Sequence, residues 1–188
     1  MGQGKVIRIK RLILICLIGF MPGLWNVVIA EPRDPGEYFF EQTLGDLSED
    51  LVEARDQGKA GVLLFFEQKD CPFCYRMKTT VLNQSEVQEY FKEHFLNLPI
   101  DIEGSDTLTD FQGVETTPRA FFAKIARNRG ATPVFAIFDL SGKMVVRYTG
   151  ATSGVEEFMW LGEYAVKEKY KQMPFARYKR EKKKTKTE

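Results

Sequence analysis

Residues 62–74 read VLLFFEQKDCPFC. Val62 to Phe66 are five consecutive apolar residues without alternation, the pattern of a short strand buried on both faces of a parallel or mixed sheet. Four polar residues follow, and Cys71-Pro72-Phe73-Cys74 then opens a helical pattern that runs to about Leu82. Pro72 stands at the first helical position, where its missing N–H costs nothing. A buried strand, a turn and a helix beginning at a cysteine pair therefore follow one another directly.

In the first turn of a helix, residues i and i+3 share a face, so the sulfurs of Cys71 and Cys74 can join in a disulfide or lie adjacent as thiols. Exposed backbone donors and the helix dipole at that end stabilise a thiolate, the species that attacks a disulfide. Cys71, at the open end, is expected to be the nucleophile, and Cys74, deeper in the helix, the resolving thiol. A bridge between residues three apart removes little unfolded-state entropy, which makes the pair a poor structural staple. A zinc site needs about four ligands, and outside the N-terminal segment the chain offers Cys71, Cys74 and the single His94. No metal and no bound cofactor are expected, and His94 reads as a helix-end residue.

Outward from this stretch, Lys5, Arg8, Lys10 and Arg11 precede nineteen uncharged residues from Leu12 to Ala30, the n-region and h-region of a secretory signal. Pro22, Gly23 and Asn26 interrupt the apolar run, which favours a cleaved signal, with Glu31 as the mature start, over an N-terminal anchor. The remainder is expected outside the cytoplasm, in the periplasm. Cys16 lies inside this segment and would leave with it. Residues 31–188 then have the length of one domain with its own core.

Residues 31–45 read as an extended leader tucked onto the body by Tyr38, Phe39 and Phe40, and residues 46–172 as the folded domain. Asp46 with Glu49 predicts a helix start, with Gly58 as its stop. Ser85 opens a second helix through about His94, and Phe95 to Ile102 is strand-like, with Pro99 demoting it toward an edge or a bulge. Residues 103–117 read as a loop or insertion, and Pro118 begins a helix to about Asn128. Pro133–Asp139 and Lys143–Thr149 form a hairpin pattern about Leu140-Ser141-Gly142. Ser153 with Glu156 predicts a capping box for a further helix. Residues 177–188 hold seven basic and two acidic residues against sixteen basic and twenty-four acidic in 31–176. Residues 173–188 are accordingly expected to be a disordered basic tail on an acidic body, solubilising or in weak contact with an anionic membrane surface. The acidic body and the export pattern argue against nucleic-acid binding.

The stretches LLFFEQKDCPFC (63–74), FLNLPIDIEG (95–104) and ATPVFAIFDLSGKMVVRYTG (131–150) resemble the thioredoxin superfamily, and within it the SoxW-like periplasmic thioredoxins. The resemblance covers roughly residues 37–170. It implies an α/β thioredoxin fold, a central mixed sheet flanked by helices, with the 103–117 insertion before the cis-proline hairpin. It further implies that Pro133 is the cis-proline opposite the cysteine pair, and that Thr132 offers backbone groups to a substrate strand docking by short β-pairing. Thr117-Pro118, by contrast, reads as a helix start. Phe73, exposed between the cysteines with Pro72, is a further substrate contact.

The chain departs from cytoplasmic thioredoxin, which usually carries a Trp before the first cysteine and a buried Asp six residues before it, where this chain has Asp70 and Phe65. Glu67, at the strand end, is the nearest replacement for the missing proton acceptor, since a partly buried carboxylate can relay a thiol's proton. The implied activity is thiol:disulfide exchange on exported proteins, by a monomer reset from a membrane electron donor. The Pro-Phe dipeptide has no basic residue that would favour the oxidising extreme, so a reductant is expected. A thioredoxin-fold binding module with an incidental cysteine pair, and an oxidase or isomerase, are the rival readings.

Overall fold

The computed structural model describes Met1, residues 31–127 and residues 130–185. Residues 2–30, which hold the segment read as an export signal, Asn128, Arg129 and residues 186–188 lie outside the described residues.

The uninterrupted apolar run becomes β1 (Gly61–Glu67), in which every residue from Gly61 to Phe66 is buried. Leu63 and Phe65 face one apolar layer, and Val62, Leu64 and Phe66 face another. β1 is central in a four-stranded sheet ordered β2-β1-β5-β6, with β2 at Phe95–Asp101, β5 at Val134–Asp139 and β6 at Met144–Thr149. β2 runs parallel to β1, while β5 is antiparallel to β1 and β6 to β5. This is the mixed α/β thioredoxin fold. Pro99 lies in β2, a sheet edge, where a strand tolerates the absence of a donor.

Helices cover both faces. On the Phe65 side are α3 (Pro72–Thr80), α4 (Ser85–His94) and α6 (Val155–Val166), contributing Met77, Phe91 and Phe158 to the core. On the Phe66 side are α2 (Leu47–Asp56) and α5 (Pro118–Ala126), contributing Leu51, Phe121 and Phe122. Asp46 caps α2 by accepting from the Ser48 and Glu49 N–H groups, and Gly58 follows with a φ of 67°, which a glycine adopts without strain.

Three expectations are corrected. The leader is not wholly extended: Asp34 caps a short helix, α1 (Pro35–Tyr38), and Phe39 and Phe40 beyond it are buried, as the aromatic run implied. The 103–117 stretch carries a small antiparallel ladder, β3 (Leu108–Thr109) with β4 (Glu115–Thr116). The Ser153–Glu156 capping box does not form. Gly154 precedes α6 without a side-chain cap, and the Ser153 N–H and hydroxyl go to Glu157 instead.

The tail is the larger correction, because Phe175–Thr185 is helical (α7) where its charge predicted disorder. Tyr178 is buried, and Phe175 and Tyr178 pack on Tyr164 of α6 with ring centroids 5.3 and 5.4 Å away. Lys179 reaches Glu157 at 2.6 Å, and Lys182 reaches Glu163 at 2.7 Å. Composition alone misses this, since the lysines that read as solvated charge are partners of carboxylates some twenty residues upstream.

Glu157 is 4% exposed. Burial pushes its carboxyl up, but hydrogen bonds from Lys179, Ser153 and Tyr148 outweigh burial and hold it at about 2. A carboxylate whose folded value is depressed contributes stability above its unfolded value and loses it as pH falls through the folded one. In urea titrations at pH 7, Glu157→Gln is expected to cost about 1–3 kcal/mol. That difference from the parent should shrink as pH falls from about 4.5 toward about 2. A difference that stayed constant across this window would show that the carboxylate's charge does not hold α7 in place.

Candidate functional site

Cys71 is itself the N-cap of α3: its backbone is extended, and its sulfur accepts a hydrogen bond from the Cys74 N–H at 3.1 Å. Pro72 follows at the first helical position, as its fixed φ favours. Asp70, just before, has a φ of 57°, a left-handed conformation that Asp tolerates better than most residues, and it turns the chain from the strand side into the helix. Cys71 and Cys74 are joined in a disulfide with their Cα atoms 5.3 Å apart. Cys71 is partly exposed and Cys74 is 2% exposed, an asymmetry that suits an attacking and a resolving sulfur.

Thr132 and Pro133 reach the pair because β5 is antiparallel to β1. Phe66 pairs with Val134, so the residues before Val134 lie beside the end of β1, where Cys71 follows. The Thr132–Pro133 peptide is cis, as the resemblance implied, and the Thr132 hydroxyl donates to the Cys71 sulfur at 3.3 Å. Pro133 is buried, and its carbonyl accepts from the Gly150 N–H at 2.8 Å. Phe73 is 54% exposed, with the Arg76 guanidinium 5.3 Å from its ring centroid, and Pro72 is exposed beside it.

Glu67, the last residue of β1, lies in an open cavity of about 530 Å³ that both cysteines also line, with Asp70 and Tyr75. Its carboxylate is not free to act alone. Lys78 places its ammonium 2.6 and 2.7 Å from the two carboxylate oxygens. Lys78 was missed from the sequence, although a usable signal exists: it follows Cys74 by four residues and so shares its helix face. His94 ends α4 against the Tyr90 ring, and its carbonyl accepts from Ala60, at the opposite end of β1 from Cys71. Among the described residues, no group of three or more His, Cys, Asp or Glu side chains is placed to hold a metal ion.

A cysteine pair capping a helix at the end of a central strand, opposite a cis-proline, defines a thioredoxin-type site. A model of the thioredoxin-like domain matches residues 47–165 of the chain, which accordingly belongs to the thioredoxin-like family. Its structure is similar to that of a thioredoxin-fold protein from Helicobacter pylori, at 22% identity and a TM-score of 0.57, over 68% of this chain and 87% of the other. It is also similar to a protein described as DsbH oxidoreductase, at 18% identity and a TM-score of 0.51, over 74% and 92% of the two chains. No curated protein matches the chain.

The Thr132 hydroxyl supplies one donor to the Cys71 sulfur, and a neutral hydrogen bond of this kind contributes about 0.5–1.5 kcal/mol. In the reduced protein at pH 7, Thr132→Val should therefore slow alkylation of Cys71 by iodoacetamide roughly three- to tenfold. An unchanged rate would remove Thr132 from the site's electrostatics.

Proposed function

We propose that the chain is a thiol:disulfide oxidoreductase that reduces disulfides in exported proteins. The observation that carries this reading is the Cys71–Cys74 disulfide at the start of α3, with Thr132 donating to the outer sulfur. In the reduced state the Cys71 thiolate attacks a substrate disulfide. One substrate sulfur departs with the bonding electron pair, and the other stays bonded to Cys71. Cys74 then gives up its proton and attacks the Cys71 sulfur, which expels the second substrate sulfur as a thiolate and leaves the intramolecular disulfide. The substrate has gained two electrons, and a dithiol donor at the membrane returns two electrons and two protons to the pair.

Glu67 is the proposed proton acceptor for Cys74, on the ground that both line one cavity. Exposed Phe73 and Pro72 offer an apolar contact to the substrate, and the backbone of Thr132 offers β-pairing partners. The basic and apolar pattern of residues 5–30 supports export to the periplasm, with the chain soluble or anchored by that segment. The SoxW-like resemblance supplies the substrate classes: proteins of sulfur oxidation, cytochrome c maturation or general thiol repair. The Pro-Phe dipeptide supports the reducing direction, and the chain is read as a monomer.

In an insulin-reduction assay with dithiothreitol as electron source, the parent chain should accelerate precipitation and Cys71→Ser should abolish the acceleration. Cys74→Ser should accumulate a mixed disulfide through Cys71. The potential of the pair, equilibrated against dithiothreitol, is expected near roughly −270 mV, whereas a value near roughly −120 mV would make the protein an oxidase. A pair that does not cycle would leave a binding module.

A further inference from the structure

Resolution of a mixed disulfide requires a thiolate at Cys74, a side chain only 2% exposed, and an anion in such a place needs a compensating charge or donor. The donors described above, the Cys74 N–H and the Thr132 hydroxyl, are aimed at Cys71. Lys78 is placed to serve Cys74. It lies one turn further along α3 on the same face, and both line the cavity beside the disulfide. Its ammonium contacts both Glu67 oxygens and lies 5.8 Å from the Phe65 ring centroid and 6.0 Å from that of Phe40. A lysine ammonium on its four-carbon stem is a movable point charge with three rotatable donors.

We propose that Lys78 is a positioning residue, a counter-ion that turns from Glu67 to Cys74 when the resolving thiolate forms. This rests on the exchange chemistry proposed above. In the disulfide state the ammonium and the carboxylate neutralise one another. When the Cys74 proton passes to Glu67, the ammonium faces the new thiolate and the carboxyl is neutral, so the Glu67, Lys78 and Cys74 side chains together carry no net charge before or after the transfer. The sulfur's electron pair then forms the bond to Cys71, and the substrate sulfur leaves with the pair from the broken bond. The proton passes from Glu67 to the departing thiolate or to water, and Lys78 returns to the carboxylate. The other charged groups around the site are held elsewhere or stand at its rim. Arg76 donates to the Thr152 carbonyl and covers Phe73, Glu103 accepts from the Lys69 N–H, and Asp70 lines the cavity mouth. Apart from Glu67, the sheet and α6 contribute apolar side chains to the cluster that holds Cys74, among them Phe65, Phe135 and Phe158.

The test is the pH titration of thiolate absorbance at 240 nm in the full-length Cys71→Ser chain, with the Cys71→Ser/Cys74→Ser chain subtracted to remove the tyrosines. Adding Lys78→Met should raise the Cys74 midpoint by about one pH unit or more, and Lys78→Arg should keep it within about half a unit. Adding Glu67→Gln removes the competing anion and should lower the midpoint, the opposite sign to Lys78→Met. An unmoved midpoint in Lys78→Met, or one that rises in Glu67→Gln, overturns the proposal. If circular dichroism shows that Lys78→Met does not fold, the sign of the Glu67→Gln shift decides alone. Cycling of the parent chain in dithiothreitol buffers separates the two ideas. Cycling with no midpoint shift removes the counter-ion and keeps the exchange reading, whereas the expected shifts without cycling remove the exchange reading and keep the counter-ion.

Discussion

The structure depends on β1 being buried on both faces. Leu63 and Phe65 serve one layer and Val62, Leu64 and Phe66 the other, so the strand is a shared wall between two apolar cores. Because side chains alternate with a period of two, a slip of one residue would exchange the two sets and misfit both layers at once. That fixed register, carried to β2 on one side and β5 on the other, sets what happens where β1 ends. The chain leaves the sheet at Glu67 and enters α3 at Cys71, and the antiparallel β5 begins at the same end, so Thr132 arrives at the Cys71 sulfur. The cysteine pair and the cis-proline are brought together by strand direction rather than by any contact in sequence.

The same alternation explains the charges beside the pair. Phe65 stands where the cytoplasmic thioredoxins usually have an acid, and its ring is fully buried in the α3 layer. Glu67, two residues on, projects from the same face of the strand, but at the strand end, where the core opens into the cavity. Lys78 meets it from α3. An ammonium lying near two aromatic rings and bonded to a carboxylate keeps part of its stabilisation without full hydration, which lets a charged pair stand at the margin of an apolar layer.

Much of this was legible in the sequence because it rests on local rules. The continuous apolar run gave a doubly buried strand, Pro72 and Pro118 marked helix starts, and Pro99 marked an edge. The cis-proline was legible through family resemblance, since no local rule distinguishes Thr132-Pro133 from Thr117-Pro118 beyond the elements that follow them. What escaped were interactions between side chains distant in sequence. The Glu67–Lys78 pair joins a strand to a helix, and Ser153 takes Glu157 rather than Glu156 because Glu157 faces inward, where Tyr148 and Lys179 also meet it.

The C-terminal helix shows how composition misleads when charge is summed by segment. An acidic body and a basic tail are not independent parts if the tail's lysines neutralise the body's carboxylates, as Lys179 and Lys182 do at Glu157 and Glu163. Burial pushes the Glu163 carboxyl up, but hydrogen bonds from Lys167, Lys182 and Tyr178 outweigh it and hold it at about 2, much as at Glu157. Glu157 also anchors Ser153, and the adjoining Thr152 accepts from Arg76 through its carbonyl and sets its hydroxyl 3.6 Å from the Met77 sulfur. Arg76 and Met77 belong to α3, so an unbroken chain of polar contacts runs from α7 through the start of α6 to the helix that carries the cysteines. The basic segment is thereby part of the scaffold that supports the site, and its charge cannot be assigned to an outside partner before these internal pairs are counted.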